Sequence, residues 1–407
     1  MPPKTLTAPP NQSAMKKILT VIGARPQIIK AAALSRAVAD SFADRIDERI
    51  LHTGQHYDAN MSQVFFDELG IPAPHYNLGV GSGSHGVQTA RIIEGIESVL
   101  TGPDGPFDGI VIYGDTNSTL AAAVAAAKLH VPIFHIEAGL RSNNMTMPEE
   151  VNRIVADQLS SILFAPTQTA VDNLRREGFD SPGDRERFAG GKGREVVNAG
   201  DVMYDNSMHF ADIAPTRTDI ISRLGLQDQG YILSTIHRPA NTDSAANLRA
   251  IVRALLDIAD GCTGQPTTVV LPLHPRTRKL LPQQLDADLY RRLTTSQRVR
   301  LIDPVSFFEI IELERHAAIV MTDSGGVQKE AFFFQRPCVI LRPETEWVEI
   351  VDHGAGIIAD ADYHRILGAH AALTNRPVTF PPLFGDARAA HRILTHILAY
   401  LTPASVN

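Results

Sequence analysis

The sequence predicts an α/β protein built from two parallel-sheet domains. Three observations carry this: short apolar runs alternate with helix-length segments, that rhythm stops once near the middle of the chain and restarts, and turn residues bound the apolar runs on both sides. A length of 407 residues suits two domains, and 44% hydrophobic with 20% charged residues suits an ordinary globular chain.

Taken in order, "KKILTVIG" reads as a first strand and "IIKAAALSRAVADSF" as its helix. "GIVIYG" with "STLAAAVAAAKLH", then "VPIFHIE", then "SILFAPT" with "TAVDNLRREG" continue the pattern. Across "RERFAGGKGREVVNAGDVMYDN" glycine and charge rise, which predicts a domain boundary somewhere between about 190 and 230. The rhythm restarts at "GYILSTIHRP" and runs through "NLRAIVRALLDIA", "TTVVLPLHP", "RVRLIDP", "FFEIIELERHA", "AIVMTDSGG", "VQKEAFFF" and "PCVILRP". Two Rossmann-like domains follow, over 15–203 and 204–384, with a C-terminal helix over 385–407 completing the first. If the two sheets face each other, their strand C-termini meet on a central cleft, where open α/β sheets bind ligands. Residues 1–14, rich in proline and polar side chains and lacking an apolar stretch, read as a disordered leader and not as a signal peptide.

Composition excludes several classes. A formal net charge of −7 argues against a nucleic-acid partner. Cys262 and Cys338 form neither a disulfide framework nor a cysteine zinc site, which fits a reducing cytoplasm. No apolar run reaches the roughly 18 residues of a membrane span.

The chemistry-bearing residues collect at strand ends. In the first half these are Gly23-Ala24-Arg25-Pro26 with Lys30, Gly54-Gln55-His56, Gly114-Asp115-Thr116 and His135-Ile136-Glu137-Ala138-Gly139. Any one of them alone serves as a turn or helix cap, as Asp115 with Ser118 does, but four in succession mark a functional edge. Burial raises a carboxyl pKa at Glu137, while Lys30 or Arg141 nearby lowers it, and such opposed pressures separate an acid from a base. Glu149 and Glu150 follow Pro148 in the first turn of a helix, where the dipole favours them, and one of the pair faces the site. In the second half, Ser324, Gly325 and Gly326 open a helix with free N–H groups and resemble a phosphate cradle, and Glu330 one turn on can accept from ribose hydroxyls. His237-Arg238 and His274-Pro275-Arg276 bring imidazole and guanidinium to strand ends for an anion. Neither the ATP-binding G-x-x-x-x-G-K-[ST] pattern nor the nicotinamide G-x-G-x-x-G pattern is present, and the histidines are not spaced as metal ligands, so no cofactor and no metal are expected.

Together "GARPQIIKAA", "GDTNST", "HIEAGLRS", "PEEVNR", "HRPANTD" and "TDSGGVQKEA" resemble the non-hydrolysing UDP-N-acetylglucosamine 2-epimerase family, in order and spacing over about 16 to 385. The resemblance implies a glycosyltransferase-B fold, a cytoplasmic homodimer, no added cofactor, and C2 inversion through UDP elimination to a 2-acetamidoglucal and re-addition. It implies acid/base roles for Asp115, Glu137 and Glu149, and the role of the family's essential lysine for Lys30. His237 is then a catalytic residue placed against the diphosphate or leaving group, and Arg25, Ser324, Gly325, Gly326 and Glu330 form the uridine-diphosphate site with Arg238 and His274 on its rim. The first turn reads "GARPQ" where many bacterial members have G-T-R-P-E. "GQHYD", "GSGSHG" and "TEWVE" look more like the branch acting on UDP-2,3-diacetamido-2,3-dideoxy-glucuronate, for whose C6 carboxylate Arg141, Arg153, Ser84 and His85 are the candidates. A hydrolysing epimerase releasing free N-acetylmannosamine, a glycosyltransferase and a non-catalytic sugar-nucleotide sensor are the competing readings.

Overall fold

The computed structural model describes residues 15–54, 70–181, 184 and 193–402; the leader at 1–14 and Gln55-His56 lie outside these. Two compact units emerge, one comprising 1–206 with 384–407 and the other 207–383.

The first unit holds a sheet of β1 (Lys16–Ile22), β2 (Ile46–His52), β3 (Tyr76–Asn77), β4 (Gly109–Tyr113), β5 (Ile133–Ile136), β6 (Ile162–Ala165) and β7 (Glu195–Asn198). Its order is β3-β2-β1-β4-β5-β6-β7, and every pairing is parallel. The second holds β8 (Tyr231–Thr235), β9 (Thr268–Pro272), β10 (Val299–Ile302), β11 (Ile319–Thr322), β12 (Cys338–Ile340) and β13 (Gly356–Ile358), in the order β10-β9-β8-β11-β12-β13, again parallel throughout. In each sheet the strand order reverses once, between β1 and β4 and between β8 and β11. Crossovers there leave toward opposite faces, which opens a crevice at the strand carboxyl ends.

Central strands are covered on both sides. Every residue of β4, β5 and β11 is buried, as the mostly apolar central strands of a helix-covered parallel sheet should be. The helix Asn117–Lys128 brings Ala121, Ala122, Ala123, Ala125 and Ala126, all fully buried, so its backbone packs close to the sheet. Thr116 starts that helix by accepting from Thr119 N at 3.4 Å, and Ser324 starts the helix Gly325–Phe333 by accepting from Val327 N at 3.5 Å.

The segment rich in glycine and charge contains β7, paired on β6, and the helix Val202–Arg217, within which the two units divide. The helix Ala389–Leu401 belongs to the first unit. The Asp205 carboxylate accepts from its Ala389 N (3.0 Å) and Ala390 N (2.8 Å), and Tyr400 packs edge-on against Phe134 of β5. Burial raises the Asp205 carboxyl to about 6 against the pull of those two N–H groups. Among the described residues no helix is long and apolar enough to cross a membrane.

Candidate active site

At the β1/β4 reversal the first unit gathers charge. Lys30 Nζ, on the helix Arg25–Ala37, donates to Glu137 Oε1 at 2.6 Å, with side chains only 11% and 12% exposed. Glu137 sits just past β5 at φ 67°, a left-handed conformation uncommon for a residue with a side chain. It is held there by Glu137 N and Ala138 N, both donating to Phe164 O at 3.1 Å. Gly114, at φ 60°, ends β4 directly beneath this pair: a Cβ on it would stand 3.3 Å from Lys30 Nζ and 3.4 Å from Glu137 Oε1. Any larger residue there would crowd both groups.

Asp115 follows at once. Burial pushes its carboxyl upward, Arg153 and Lys30 hold it back, and Glu137 adds to the rise. Arg153 bonds Asp115 and also donates to Glu150 Oε2 at 2.5 Å. Asn152 Nδ2 donates to the Asp115 carbonyl at 3.0 Å. Lys30, Asp115 and Glu137 are thus a set of two carboxylates and an ammonium, suited to taking and returning a proton.

The structure separates the glutamate pair at the start of the helix Pro148–Leu159. Glu150 is buried and accepts from Ser142 N (3.1 Å) and Asn143 N (2.9 Å); burial acts to raise its carboxyl, but these N–H groups and Arg153 outweigh it and hold it low. It braces the preceding loop. Glu149 is exposed, and its side chain makes no hydrogen bond or ion pair among the described residues. Of the residues considered for a C6 carboxylate, both arginines are already engaged. Arg141 donates to Asp157 Oδ2 (2.7 Å) and, through a bidentate pair, to Glu177 (2.7 and 2.8 Å), while Arg153 holds Asp115 and Glu150. Ser84 and His85 remain exposed at the start of the helix His85–Leu100, with His85 Nδ1 3.2 Å from Asn117 Nδ2.

Gln27 and Asp157, which the sequence did not single out, support the site. Buried Gln27 accepts at Oε1 from Gly23 N (2.9 Å) and Ala24 N (3.0 Å) and donates from Nε2 to Tyr113 O (2.8 Å) and Thr119 Oγ1 (3.0 Å), tying the β1 and β4 ends together. The signal was in "GARPQ": a glutamine three residues after the helix cap can reach back to it. Asp157, fully buried, lies 2.7 Å from Nδ1 of His135, the equally buried strand-end histidine of β5. Arg25 is exposed at the first turn of its helix.

In the second unit the reversal between β8 and β11 carries a different set. Asp323, fully buried, accepts from His237 N (3.1 Å), Arg238 N (3.0 Å) and Asn241 Nδ2 (3.1 Å), and His237 Nδ1 lies 3.2 Å from its Oδ1. Burial acts to raise the Asp323 carboxyl, but the His237 contact, Arg238 N and Asn241 outweigh it and leave it below the usual range. The His237 side chain stays 46% exposed, so the loop is pinned from below while its imidazole remains available. Ser324, Gly325 and Gly326 open the helix, and Trp347 Nε1 donates to Gly325 O at 3.0 Å. Glu346, bidentate with Arg342 at 3.0 and 2.9 Å, would stand 3.3 Å from a Cβ on Gly325, so glycine keeps this approach open. Glu330 lies on the same helix, one turn on. His274 is exposed and caps the helix Pro275–Gln284, accepting at Nδ1 from Arg276 N at 3.3 Å, while Arg276 pairs with Asp243 (2.6 and 2.7 Å).

Two parallel sheets, each with its polar residues at the strand-order reversal, define the class: an α/β chain whose ligand chemistry lies at strand carboxyl ends. The family described as UDP-N-acetylglucosamine 2-epimerase matches residues 40–398. Over 383 residues the chain is 47% identical to the UDP-2,3-diacetamido-2,3-dideoxy-D-glucuronate 2-epimerase of Pseudomonas aeruginosa, covering 94% of this chain and 99% of that protein. A crystal structure of Methanocaldococcus jannaschii UDP-GlcNAc 2-epimerase in complex with UDP-GlcNAc and UDP matches with a TM-score of 0.76 at 36% identity, covering 94% of this chain and 99% of that one. The UDP-GlcNAc 2-epimerase of Neisseria meningitidis bound to UDP-GlcNAc matches with a TM-score of 0.76 at 28% identity, over 94% and 100% of the two chains. The chain belongs to the UDP-N-acetylglucosamine 2-epimerase family.

Proposed function

We propose that this protein inverts C2 of a UDP-2-acetamido sugar by eliminating and re-adding UDP, and that UDP-2,3-diacetamido-2,3-dideoxy-glucuronate is preferred over UDP-GlcNAc. The Lys30–Glu137 pair beside Asp115, in a chain of this family, is the observation that carries the reading. One carboxylate takes the C2 proton while the C1–O bond breaks and its electron pair leaves with UDP, giving a 2-acetamidoglucal. A proton returned to the opposite face of C2, with UDP re-added at C1, completes the inversion. The ammonium of Lys30 beside Glu137 keeps that carboxylate available as a base, and burial keeps Asp115 readier to hold a proton. His237, Arg238, Arg25 and the Ser324–Gly326 turn serve the diphosphate, His274 lies on their rim, Glu330 serves the ribose, and Glu149 is a third proton carrier. The sugar preference is supported by the 47% identity to the P. aeruginosa protein. The protein acts as a cytoplasmic homodimer, which light scattering on the purified chain tests.

NMR in deuterated water, with a chelator present and each UDP-sugar in turn, tests the reaction. Deuterium should enter C2 of both epimers. Epimer formed without deuterium overturns the mechanism, and free N-acetylmannosamine as product returns the protein to the hydrolysing reading. A kcat/KM for UDP-GlcNAc equal to or above that for the diacetamido-glucuronate overturns the substrate preference.

A further inference from the structure

The peptide groups on both sides of Asp115 are held by buried side-chain donors. His135 Nε2 lies 2.8 Å from the carbonyl of Gly114, the peptide whose nitrogen belongs to Asp115. Asn152 Nδ2 donates to the carbonyl of Asp115 itself at 3.0 Å. The other His135 nitrogen, Nδ1, lies 2.7 Å from Asp157 Oδ1, and neither side chain is exposed to solvent. Asp157 also accepts from Gly139 N (3.2 Å) and Arg141 (2.7 Å), and Arg141 in turn is clamped by Glu177. A buried aspartate and an imidazole are thus engaged on a single strand-end carbonyl. Glycine at 114, at φ 60°, leaves that peptide free to rotate unless something holds it.

We propose that His135, oriented by Asp157, is a positioning residue that locks the Gly114–Asp115 peptide plane and with Asn152 aims the Asp115 carboxylate. The proposal rests on the proton-transfer role assigned to Asp115 above. The ring is held at both nitrogens, Nδ1 against Asp157 Oδ1 and Nε2 against the Gly114 carbonyl, so it cannot turn without losing one of the two contacts. His135 thus acts through Asp115 and not on the substrate. Its removal lowers the rate of C2 proton transfer and leaves binding intact, because a displacement of about 1 Å at a reacting group can cost on the order of 100-fold in rate.

Two isosteric variants separate the two hydrogen bonds. His135→Asn keeps a donor for Asp157 and loses the reach to Gly114, whereas His135→Gln keeps a donor toward Gly114. The expected result is a roughly 10- to 100-fold loss of kcat and of C2 deuterium exchange in His135→Asn, substantial recovery in His135→Gln, and KM within about twofold of wild type in both. Equal loss in the two variants, or no loss in either, overturns the proposal. So does a fall in UDP affinity by calorimetry that matches the fall in kcat, the mark of a general structural role. Should the His135 variants not fold, Asn152→Ser decides, because it releases the Asp115 carbonyl: kcat should fall with KM within about twofold of wild type, and an unchanged kcat overturns the proposal. Wild-type protein that exchanges no C2 hydrogen with any UDP-2-acetamido sugar overturns the functional reading instead.

Discussion

Asp115 and Asp323 occupy the same place in the two sheets, yet their surroundings shift their carboxyls in opposite directions. Each follows the fourth strand of its unit, beside the strand-order reversal, and each precedes a hydroxyl cap: Thr116 before the helix Asn117–Lys128 and Ser324 before the helix Gly325–Phe333. Asp323 is filled with donors, from two backbone N–H groups, Asn241 and His237, and its carboxyl is held low against burial. Asp115 meets burial, a guanidinium, an ammonium and a second carboxylate, and its carboxyl is raised. Whether a strand-end aspartate has its carboxyl raised or held low is therefore set not by its position in the fold but by the groups that reach it.

The largest expected effect comes from the first unit. Asp115→Asn and Glu137→Gln should each lower turnover by a factor on the order of 100 or more while calorimetry finds UDP affinity unchanged. A parallel loss of UDP binding would erase the division of labour between the two reversals.

Stability should separate the aspartates next. Asp323→Asn breaks a charged, buried acceptor and should cost about 1.5–3 kcal/mol in denaturant unfolding at pH 7. Because its folded pKa is depressed, that stabilisation is present above the unfolded value of about 3.9 and is lost as pH falls through the folded value, so the wild-type advantage should shrink in acid. Asp115 has the reverse sign: its folded pKa is raised, so its contribution is present below about 3.9 and lost as pH rises through the folded value. Asp115→Asn should then leave stability at pH 7 equal to or above wild type, and an acid-dependent loss like that of Asp323→Asn would put the two residues in one class.

The smallest effect sharpens the nucleotide side. Glu330→Ala should weaken UDP binding by about 1–3 kcal/mol, the cost of leaving a well-made hydrogen bond unpaired, with turnover at saturating sugar nearly unchanged. A loss confined to kcat would move Glu330 from the nucleotide to the chemistry.

Legibility followed the strength of the local signal. β4, β5 and β11 are short, mostly apolar runs bounded by turn residues and were readable at once. β2, "IDERILH", hides three consecutive charged residues in a strand, made tolerable because Glu48 accepts from Thr20 of β1 at 2.6 Å and Arg49 pairs with Asp47 at 2.9 Å. β7 escaped because it is short, half-buried and embedded in the stretch rich in glycine and charge that marks the boundary. The strand-end candidates were visible because parallel sheets put turn residues and polar groups at one edge.

From the residues alone came two parallel-sheet units and the polar strand ends, because periodicity and turn residues are local properties of the chain. Only the tertiary structure decided the partnerships. Lys30 meets Glu137 because β1 lies beside β4 and β4 beside β5, a neighbourhood set by crossovers that no local pattern encodes. One residue of rotation on a helix buries Glu150 under the loop and leaves Glu149 in solvent. Arg141, free on paper to meet a substrate carboxylate, is bound to Asp157 and Glu177, since a buried aspartate shared with His135 needs that cation more than the open site does.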